Sequence, residues 1–223
     1  MTAVCSCSSK SPESPEPGAH GPSSPTCGLP PKAYRLSFAA VLCALALAAC
    51  AKGATTAAPA RLRAADYQPL AVGNQWTYAG TMMGQPVERT ITIVGTKDGF
   101  FVDDANGMFR VEPDGLRDDK RYLLMEPIEK SKTWSAVVSV GSTERYEVVD
   151  VGFTASTPAG AFRDCVRVRG TNRIDRVKSL STEWTFAPGV GIVRIVVTAQ
   201  VDGKSIPQGT LELTARKLAP SAR

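Results

Sequence analysis

The sequence predicts an all-β domain, and three observations support that prediction. Apolar and polar residues alternate with a period of two through most of residues 66–218. Turn signals such as Asn106-Gly107, Asp114-Gly115 and Pro188-Gly189 separate the alternating runs. No run in this region keeps a helical period of about 3.6 residues through three turns. We therefore expect a single domain of about ten antiparallel strands forming a strongly curved sheet or open barrel.

Alternating runs predict the strands, and turn signals mark the connections between some of them. Asn106-Gly107 indicates a type I′ hairpin. Pro188-Gly189 indicates a type II turn, because proline presets φ and glycine accepts a positive φ. Gly191 indicates a bulge or a close approach of another group to the backbone. The runs are QWTYAGTMM, VERTITIVGT, FFVDDANGMFRVEPDG (two strands), LRDDKRYLLMEP (a pair or one bent strand), TWSAVVSV, TERYEVVDVGFTAS, DCVRVRGTNRID, STEWTFA, GIVRIVVTAQVDG and GTLELTARKL.

An apolar run before the domain has the layout of an export signal. Residues 36–49 are 14 residues without a charge, directly after Lys32 and Arg35. As a helix this run would span about 21 Å, too short for a hydrocarbon core of about 30 Å. A buried core helix is the alternative, but the small-residue tether that follows offers it nothing to pack against. We therefore expect a signal peptide at residues 32–49.

The end of that run resembles a lipobox, the signal-peptidase II site of bacterial lipoproteins. Leu47, Ala48 and Ala49 are the recognition residues in this resemblance, and Cys50 follows them. The resemblance implies that Cys50 becomes the acylated N-terminus, and several acyl chains, palmitate among them, hold a protein firmly on a membrane. By the sorting rule of some diderm bacteria, Ala51 favours the outer membrane at its periplasmic face. Lys52 weakens that preference.

The remaining segments outside the domain contain few large apolar residues. Residues 1–31 are rich in proline and serine and indicate an overcalled gene start or an unusually long leader. Residues 50–65 are the lipidated cysteine with a flexible tether, and residues 219–223 are a short tail. The β domain between them, residues 66–218, is long enough to bury about two thirds of its unfolded surface.

The composition of the processed chain restricts its chemistry. Cleavage before Cys50 removes three of the 26 Lys+Arg and two of the 21 Asp+Glu, leaving a net charge of about +4, so no nucleic-acid partner is expected. His20, the one histidine, is removed as well, which excludes histidine-based nucleophiles and histidine-ligated metals. Cys165 then has no disulfide partner and is expected as a buried apolar residue. We expect neither a metal nor a cofactor.

Three motifs in the domain resemble an uncharacterised family of bacterial envelope lipoproteins. They are YQPLAVGNQWTY (67–78), TPAGAFRDCVRV (157–168) and WTFAPGVGIVRI (184–195). They resemble the family pattern YxPLxxGNxWxY, then TPAGxFxxC, then WFAPGVGxV. The pattern has an aromatic residue directly before Phe186, where this chain has Thr185, with Trp184 one place earlier. The resemblance implies a β-rich envelope domain and no particular reaction.

Two groups of residues are candidates for a ligand or partner face. Arg163, Arg167 and Arg169 share parity on one strand, so they form either a solvated face or a face that docks on anionic headgroups or an acidic partner. The second group consists of the largest side chains, which either pack as core or line an apolar pocket. They are Trp76, Tyr78, Trp134 and Trp184.

Two pairs of aspartates are not expected to bind calcium. Asp103-Asp104 and Asp118-Asp119 lack the calcium-loop spacing and are expected at solvated hairpin ends.

Three function classes remain open from the residues alone. The first is a tethered interaction or assembly module of the cell envelope, held to the membrane by its N-terminal lipid and contacting an envelope protein. The second is a carrier or sensor of an apolar, lipid-like ligand, which rests on analogy with curved-sheet lipoproteins. An enzyme is not expected, because no paired acidic motif for glycoside hydrolysis stands out.

Overall fold

A computed structural model describes residues 61–219, and the leader, the signal peptide, Cys50 and the tether up to residue 60 lie outside this range. The sequence prediction of an all-β domain is confirmed, with twelve strands in place of about ten. The one helix of the described residues, α1 (Ala64–Tyr67), has four residues. The strands are β1 Gln75–Met82, β2 Gln85–Lys97, β3 Phe100–Asp103, β4 Met108–Glu112, β5 Gly115–Arg117, β6 Tyr122–Met125, β7 Thr133–Ser139, β8 Ser142–Thr157, β9 Gly160–Arg173, β10 Lys178–Ala187, β11 Gly191–Val201 and β12 Lys204–Lys217.

All twelve strands belong to one antiparallel sheet of nearly closed, barrel-like form. Its order is β6-β5-β4-β3-β2-β1-β12-β11-β10-β9-β8-β7. Apart from β6 and β7, consecutive strands therefore pair as hairpins, and β1 also pairs with β12, which joins the first and last strands. The two edges are β6 and β7, which are neighbours in sequence. The result is an up-and-down barrel that is opened between β6 and β7.

The two ends of the sheet differ because β3 to β6 are short. We call the end with the turns at residues 98–99, 158–159 and 188–190 the closed end, and the opposite end, with the turns at residues 83–84, 140–141, 174–177 and 202–203, the open end. β3 pairs only with the half of β2 from Ile93 to Lys97, at the closed end. Towards the open end the described sheet thus consists of eight strands, from β2 through β1 and β12 to β7.

Side chains pack the interior near the closed end, beside a half-open pocket lined by Gln68, Asn74, Gly99 and Arg110. The N-terminal segment packs there: Ala64 N donates to Glu126 Oε1 (3.0 Å), and the Tyr67 hydroxyl donates to the Asp164 carbonyl (3.0 Å). Burial raises the pKa of Tyr67 to about 12. Two buried clusters occupy the interior. One contains Ala64, Tyr67, Leu116, Leu123, Leu124, Trp134, Tyr146, Val148, Val166, Val168 and Phe186, and the other contains Trp76, Tyr78, Ile93, Ala155, Phe162, Cys165, Ala187, Val190, Val193 and Leu213.

One predicted turn is confirmed and one is wrong. At Pro188-Gly189, Val190 N donates to the Ala187 carbonyl (3.1 Å) and Gly189 has φ 66°, as a type II turn requires. The β3–β4 connection is a four-residue loop and no type I′ turn, because Asn106 has a positive φ (65°) and Gly107 does not. The buried Asp103 carboxylate shapes this loop by accepting from Ala105 N (2.9 Å) and Gly107 N (2.6 Å).

No helix within residues 61–219 has the length and apolarity needed to cross a bilayer.

Candidate functional site

The inner side of the sheet at the open end is the candidate site. Directly paired residues of neighbouring strands lie on the same face, so the register extends the interior face of Trp184 along β10, β11 and β12. One row towards the open end joins Leu180, Ala199 and Ile206. We call this surface the open concave face, and its residues are Met82, Lys178, Leu180, Thr182, Val197, Ala199, Val201, Lys204, Ile206 and Gly209.

The outer side of the same strands has the opposite composition. There the alternate positions are hydroxyl and amide side chains that line a shallow polar depression, while the inner positions between them are mostly aliphatic. The usual arrangement in a curved sheet places aliphatic residues inward because a second layer or the barrel interior covers them. These outer residues are Ser179, Ser181, Thr198, Gln200 and Ser205.

No second layer covers the open concave face within residues 61–219. The Leu180 side chain is 37% exposed and that of Ile206 is 44% exposed. Every residue of β11 from Ile195 to Val201 is half-buried, on both faces of the sheet. A single-layer sheet accounts for that pattern, since solvent reaches both of its sides.

An aromatic stack forms the floor of this face. The Trp134 and Tyr146 rings lie with centroids 5.3 Å apart at an interplanar angle of 9°, and the Tyr146 and Trp184 centroids are 6.2 Å apart at 23°. Trp134 is buried, whereas Trp184 is half-buried. The stack thus separates the packed interior below it from the uncovered sheet above it.

Gly170 makes room for this stack. A Cβ atom at Gly170 would lie 2.8 Å from Tyr146 Cε1 and 2.9 Å from Trp184 Cζ3, closer than real Cβ contacts. The two rings therefore rest directly on the backbone of β9. A cavity of about 90 Å³ opens beside them, lined by Arg121, Glu144, Gly170, Asn172, Leu180, Thr182 and Trp184.

Polar groups hold Tyr146 from the side. Its hydroxyl donates to Glu144 Oε2, which also accepts from Arg121 Nη1 (2.5 Å). Burial, together with the hydrogen bond to the Glu144 carboxylate, raises the pKa of Tyr146 well above its usual range. Asp118 Oδ2 accepts from Arg121 Nε (3.1 Å), so Arg121 bridges the two carboxylates of this cluster. The cluster positions the ring.

Cations border the open concave face. Lys178 and Lys204 both pair with Val201 on neighbouring strands, so they lie on the same inner face at its outermost row. Both residues are exposed, as is Arg176 in the adjacent turn. The Asp175 carboxylate in that turn accepts from the backbone of Val177 and Lys178, and these bonds lower its pKa.

The structure separates the predicted aromatic residues into two places. Trp134 and Trp184 belong to the stack at the candidate site. Trp76 and Tyr78 are buried in the second cluster, where Trp76 Nε1 donates to the Val190 carbonyl (2.6 Å) and the Tyr78 hydroxyl donates to the Ile192 carbonyl (2.8 Å). Trp184 and Phe186 share the inner face, and Thr185 between them is buried.

The predicted arginine face lies on the outside of the sheet. Arg169 forms an ion pair with Glu183 (2.7 Å), and the Arg167 guanidinium lies 4.8 Å from the centre of the Phe153 ring. Arg163 is exposed and precedes Asp164, whose positive φ (54°) interrupts the regular strand. The three arginines therefore lie on the opposite side of the sheet from the open concave face.

The remaining candidates are Cys165 and the lipidation site. Cys165 is buried and free, its Sγ lies 3.3 Å from the Phe162 carbonyl oxygen, and burial raises the pKa of its thiol. The predicted lipid attachment at Cys50 and the recognition residues Leu47, Ala48 and Ala49 lie outside the described residues. Within residues 61–219 no three His, Cys, Asp or Glu side chains are arranged to hold a metal ion.

Sequence reasoning missed several residues of the candidate site. Tyr146 and Gly170 complete the stack, and Leu180 and Ile206 carry the exposed apolar surface. Alternation alone assigns Leu180 to the face of Trp184, four residues later, so parity gave a usable signal for that residue. The contact between Gly170 and the two rings depends on three strands and has no local signal.

No protein-family model matches this chain, and no curated protein matches its sequence. The family resemblance of the three motifs therefore stays a prediction. Two solved structures are similar. A Bacteroides fragilis protein, described as an exported protein with a YmcC-like fold, has a TM-score of 0.37 and 14% identity, covering 68% of this chain and 98% of its own. A Parabacteroides distasonis protein, described as a lipoprotein, has a TM-score of 0.36 and 13% identity, covering 67% and 97%. At these values neither indicates a function for this chain.

Proposed function

We propose that this chain is a lipid-anchored lipoprotein of the bacterial envelope whose β domain is an interaction module, and that the open end of the sheet is its contact surface. The observation that carries this proposal is the uncovered aliphatic row Leu180–Ala199–Ile206 on the inner side of strands whose outer side is polar. Exposed apolar surface of this kind marks interaction sites in soluble domains. Periplasmic residence at the outer membrane is the location we favour.

The turns of the open end support a contact surface. Three of them carry exposed aliphatic side chains: Met83 is 77% exposed, Ile174 is 66% exposed, and Val140 is fully exposed. Asp202 N donates to the Val177 carbonyl (3.0 Å), which holds two of the turns together. A partner that covers the open end would bury these side chains along with the inner row.

The position of the N-terminal segment supports an anchor at the other end. Ala64 and Tyr67 pack at the closed end, so the predicted tether joins the domain at that end. Ten residues span at most about 36 Å when fully extended. A lipid on Cys50 would then hold the closed end near the membrane and leave the open end accessible to a partner.

We infer binding, and not catalysis, as the activity of this domain. The two buried clusters pack the interior near the closed end. Among the buried polar side chains, Asp103 shapes the β3–β4 loop, and Asn74 bonds the Pro69 carbonyl and Ala219 N. The carboxylate nearest the stack, Glu144, is held by Arg121 and Tyr146.

A second candidate function, a carrier or sensor of an apolar ligand, is favoured by one specific observation. The open concave face ends on the aromatic stack of Trp134, Tyr146 and Trp184, with a cavity beside it. Pockets for apolar ligands combine such concave apolar walls with a few polar groups. The two functions differ in what covers the same surface, so one experiment compares them.

Photo-crosslinking in living cells distinguishes these functions. A benzophenone amino acid replaces Ile206 on the inner face or, as a matched control, Ser205 on the outer face of the same strand. Protein adducts formed at position 206 and absent at 205 support the interaction module. Lipid adducts at position 206 alone support the carrier. Equal labelling at both positions, or no labelling at 206, contradicts a binding role for the open concave face.

A further inference from the structure

We propose that the open concave face binds one long-chain fatty acid, with its carboxylate between Lys178 and Lys204 and its methyl end against Trp184. This inference rests on the second candidate function, the carrier or sensor of an apolar ligand. It follows from three features of the same face: an aliphatic track, a pair of cations at one end and an aromatic floor at the other.

The aliphatic track is narrow. It runs along the inner side of β10, β11 and β12, and its rows are Leu180–Ala199–Ile206 and Thr182–Val197–Gly209. Three strands placed about 4.8 Å apart span about 10 Å. Gly209 adds no side chain to the second row, and Met82 of β1 closes its side, because a Cβ at Gly209 would lie 2.4 Å from Met82 Sδ. The track is therefore a shallow trough.

The length of the track suits a long acyl chain. Lys178 and Trp184 lie on the same face of β10, six residues apart. At about 3.3 Å per residue, this separation is about 20 Å along the strand. That distance is the extended length of a long-chain acyl group. A short carboxylate cannot contact the lysines and the aromatic floor at once.

The charge at the open end favours an anionic head. Lys178 and Lys204 face each other across Val201, and both are exposed. Arg176 in the neighbouring turn adds an exposed cation. Of the two acids in these turns, Asp175 is bonded to the backbone of its own turn, and Asp202 occupies a turn position with positive φ. A carboxylate between the two lysines accepts charge-assisted hydrogen bonds.

The aromatic floor ends the track. Trp184 stacks on Tyr146, and Gly170 lets both rings rest on the backbone of β9. Below them the interior is filled by buried side chains such as Val168 and Phe186. A chain that enters from the lysines therefore stops against the Trp184 ring, and only the small cavity beside it remains.

Native mass spectrometry of the mature, lipidated protein released from detergent micelles tests this assignment. The probes are hexadecanoate and hexadecanol, which differ in the charge of the head. We expect one hexadecanoate per protein and at least about tenfold weaker binding of hexadecanol, since a charge-assisted pair is lost. Lys178→Gln/Lys204→Gln should weaken hexadecanoate to the level of hexadecanol and leave hexadecanol unchanged.

Three further variants test the position of the chain. Ile206→Glu on the inner face should abolish binding of both probes, whereas Ser205→Glu, one residue away on the outer face, should bind them as the wild type does. Leu180→Glu provides a second inner-face variant if Ile206→Glu has a lowered melting temperature. Binding that is equal in the inner-face and outer-face variants, or that exceeds one molecule without saturating, overturns the proposal.

The crosslinking experiment distinguishes a failure of the fatty-acid proposal from a failure of the proposed function. Protein adducts at position 206 with no hexadecanoate binding leave the interaction module in place and reject the fatty acid. Lipid adducts at position 206 without hexadecanoate binding support the carrier function and reject a long-chain fatty acid as its ligand.

Discussion

Trp134 Nε1 donates a 2.9 Å hydrogen bond to the Tyr122 carbonyl, and this bond crosses the gap between β6 and β7, the two edges of the described sheet. A side chain here replaces the backbone ladder that joins every other pair of neighbouring strands. The same indole stacks on Tyr146. Trp134 therefore links the opening of the barrel to the floor of the candidate site.

Replacing Trp134 with phenylalanine removes the hydrogen bond and keeps an aromatic ring in the stack. We expect a loss of about 0.5 to 1.5 kcal/mol in the free energy of unfolding, measured by urea denaturation. Trp134→Ala also leaves a cavity and should cost about 3 to 5 kcal/mol. Equal losses for the two variants would show that the hydrogen bond across the gap contributes more than the ring.

Truncating the other tryptophans should separate packed interior from open face. Trp76 is buried and hydrogen-bonded, so Trp76→Ala should lower the free energy of unfolding by about 3 to 5 kcal/mol. Trp184 is half-buried, and Trp184→Ala should cost less, because water already reaches part of the ring. Thermal and urea unfolding of both variants measure this difference. A larger loss at Trp184 would contradict an open face above the stack.

Adding a side chain at Gly170 should disturb the stack. A Cβ there would lie 2.8 Å from Tyr146 and 2.9 Å from Trp184, so Gly170→Ala forces the rings to shift, at a cost of about 1 to 3 kcal/mol. The near-ultraviolet circular dichroism of the tryptophans should change with it. Thr171→Ala, the neighbouring outer-face position, is the control and should change stability by no more than about 0.5 kcal/mol.

Alkaline pH should destabilise the closed end through Tyr67. Its folded-state pKa is about 12, above the ordinary value of about 10. Because folding favours the neutral hydroxyl, its contribution to the free energy of unfolding is complete below a pH of about 10. That contribution is lost as the pH rises towards 12. The melting temperature should fall over this range, and less steeply in Tyr67→Phe, which does not ionise. Identical slopes would show that the pKa of Tyr67 does not differ between the folded and unfolded chain.

Lipidation of Cys50 is the prediction on which the anchor depends. Cells fed an alkyne fatty-acid analogue should label the wild-type chain and not Cys50→Ala, because thioether attachment and N-terminal acylation both need this cysteine. In-gel fluorescence after click chemistry reads the label. Persistent labelling of Cys50→Ala would place the lipid elsewhere.

Local sequence signals predicted much of the fold. The alternating runs at residues 191–203 and 164–175 correspond to β11 (Gly191–Val201) and β9 (Gly160–Arg173). Pro188-Gly189 formed the expected turn, because strand and turn preferences there depend on neighbouring residues. The type I′ prediction at Asn106-Gly107 failed because the buried Asp103 carboxylate holds a longer loop. A side chain that accepts backbone hydrogen bonds can override a two-residue turn signal.

The pairing of strands that are distant in sequence could not be predicted from local sequence signals. The pairing of β1 with β12 joins residues more than a hundred positions apart, and the opening between β6 and β7 depends on which of the strands are short. Alternation places Leu180 and Trp184 on one face, but it does not show whether that face is covered. Trp76 and Trp184 occur in similar alternating runs, and only the assembled sheet buries one and exposes part of the other.

Cysteine accessibility in intact cells tests the central claim, that the open concave face is the binding surface, most directly. Leu180→Cys and Ser179→Cys place a thiol on the inner and outer faces of β10, and the native Cys165 is buried. After purification under conditions that release bound molecules, both thiols should react with a maleimide at similar rates. In cells, we expect Leu180→Cys to be protected and Ser179→Cys to react. Equal reactivity of the two thiols in cells would contradict the account.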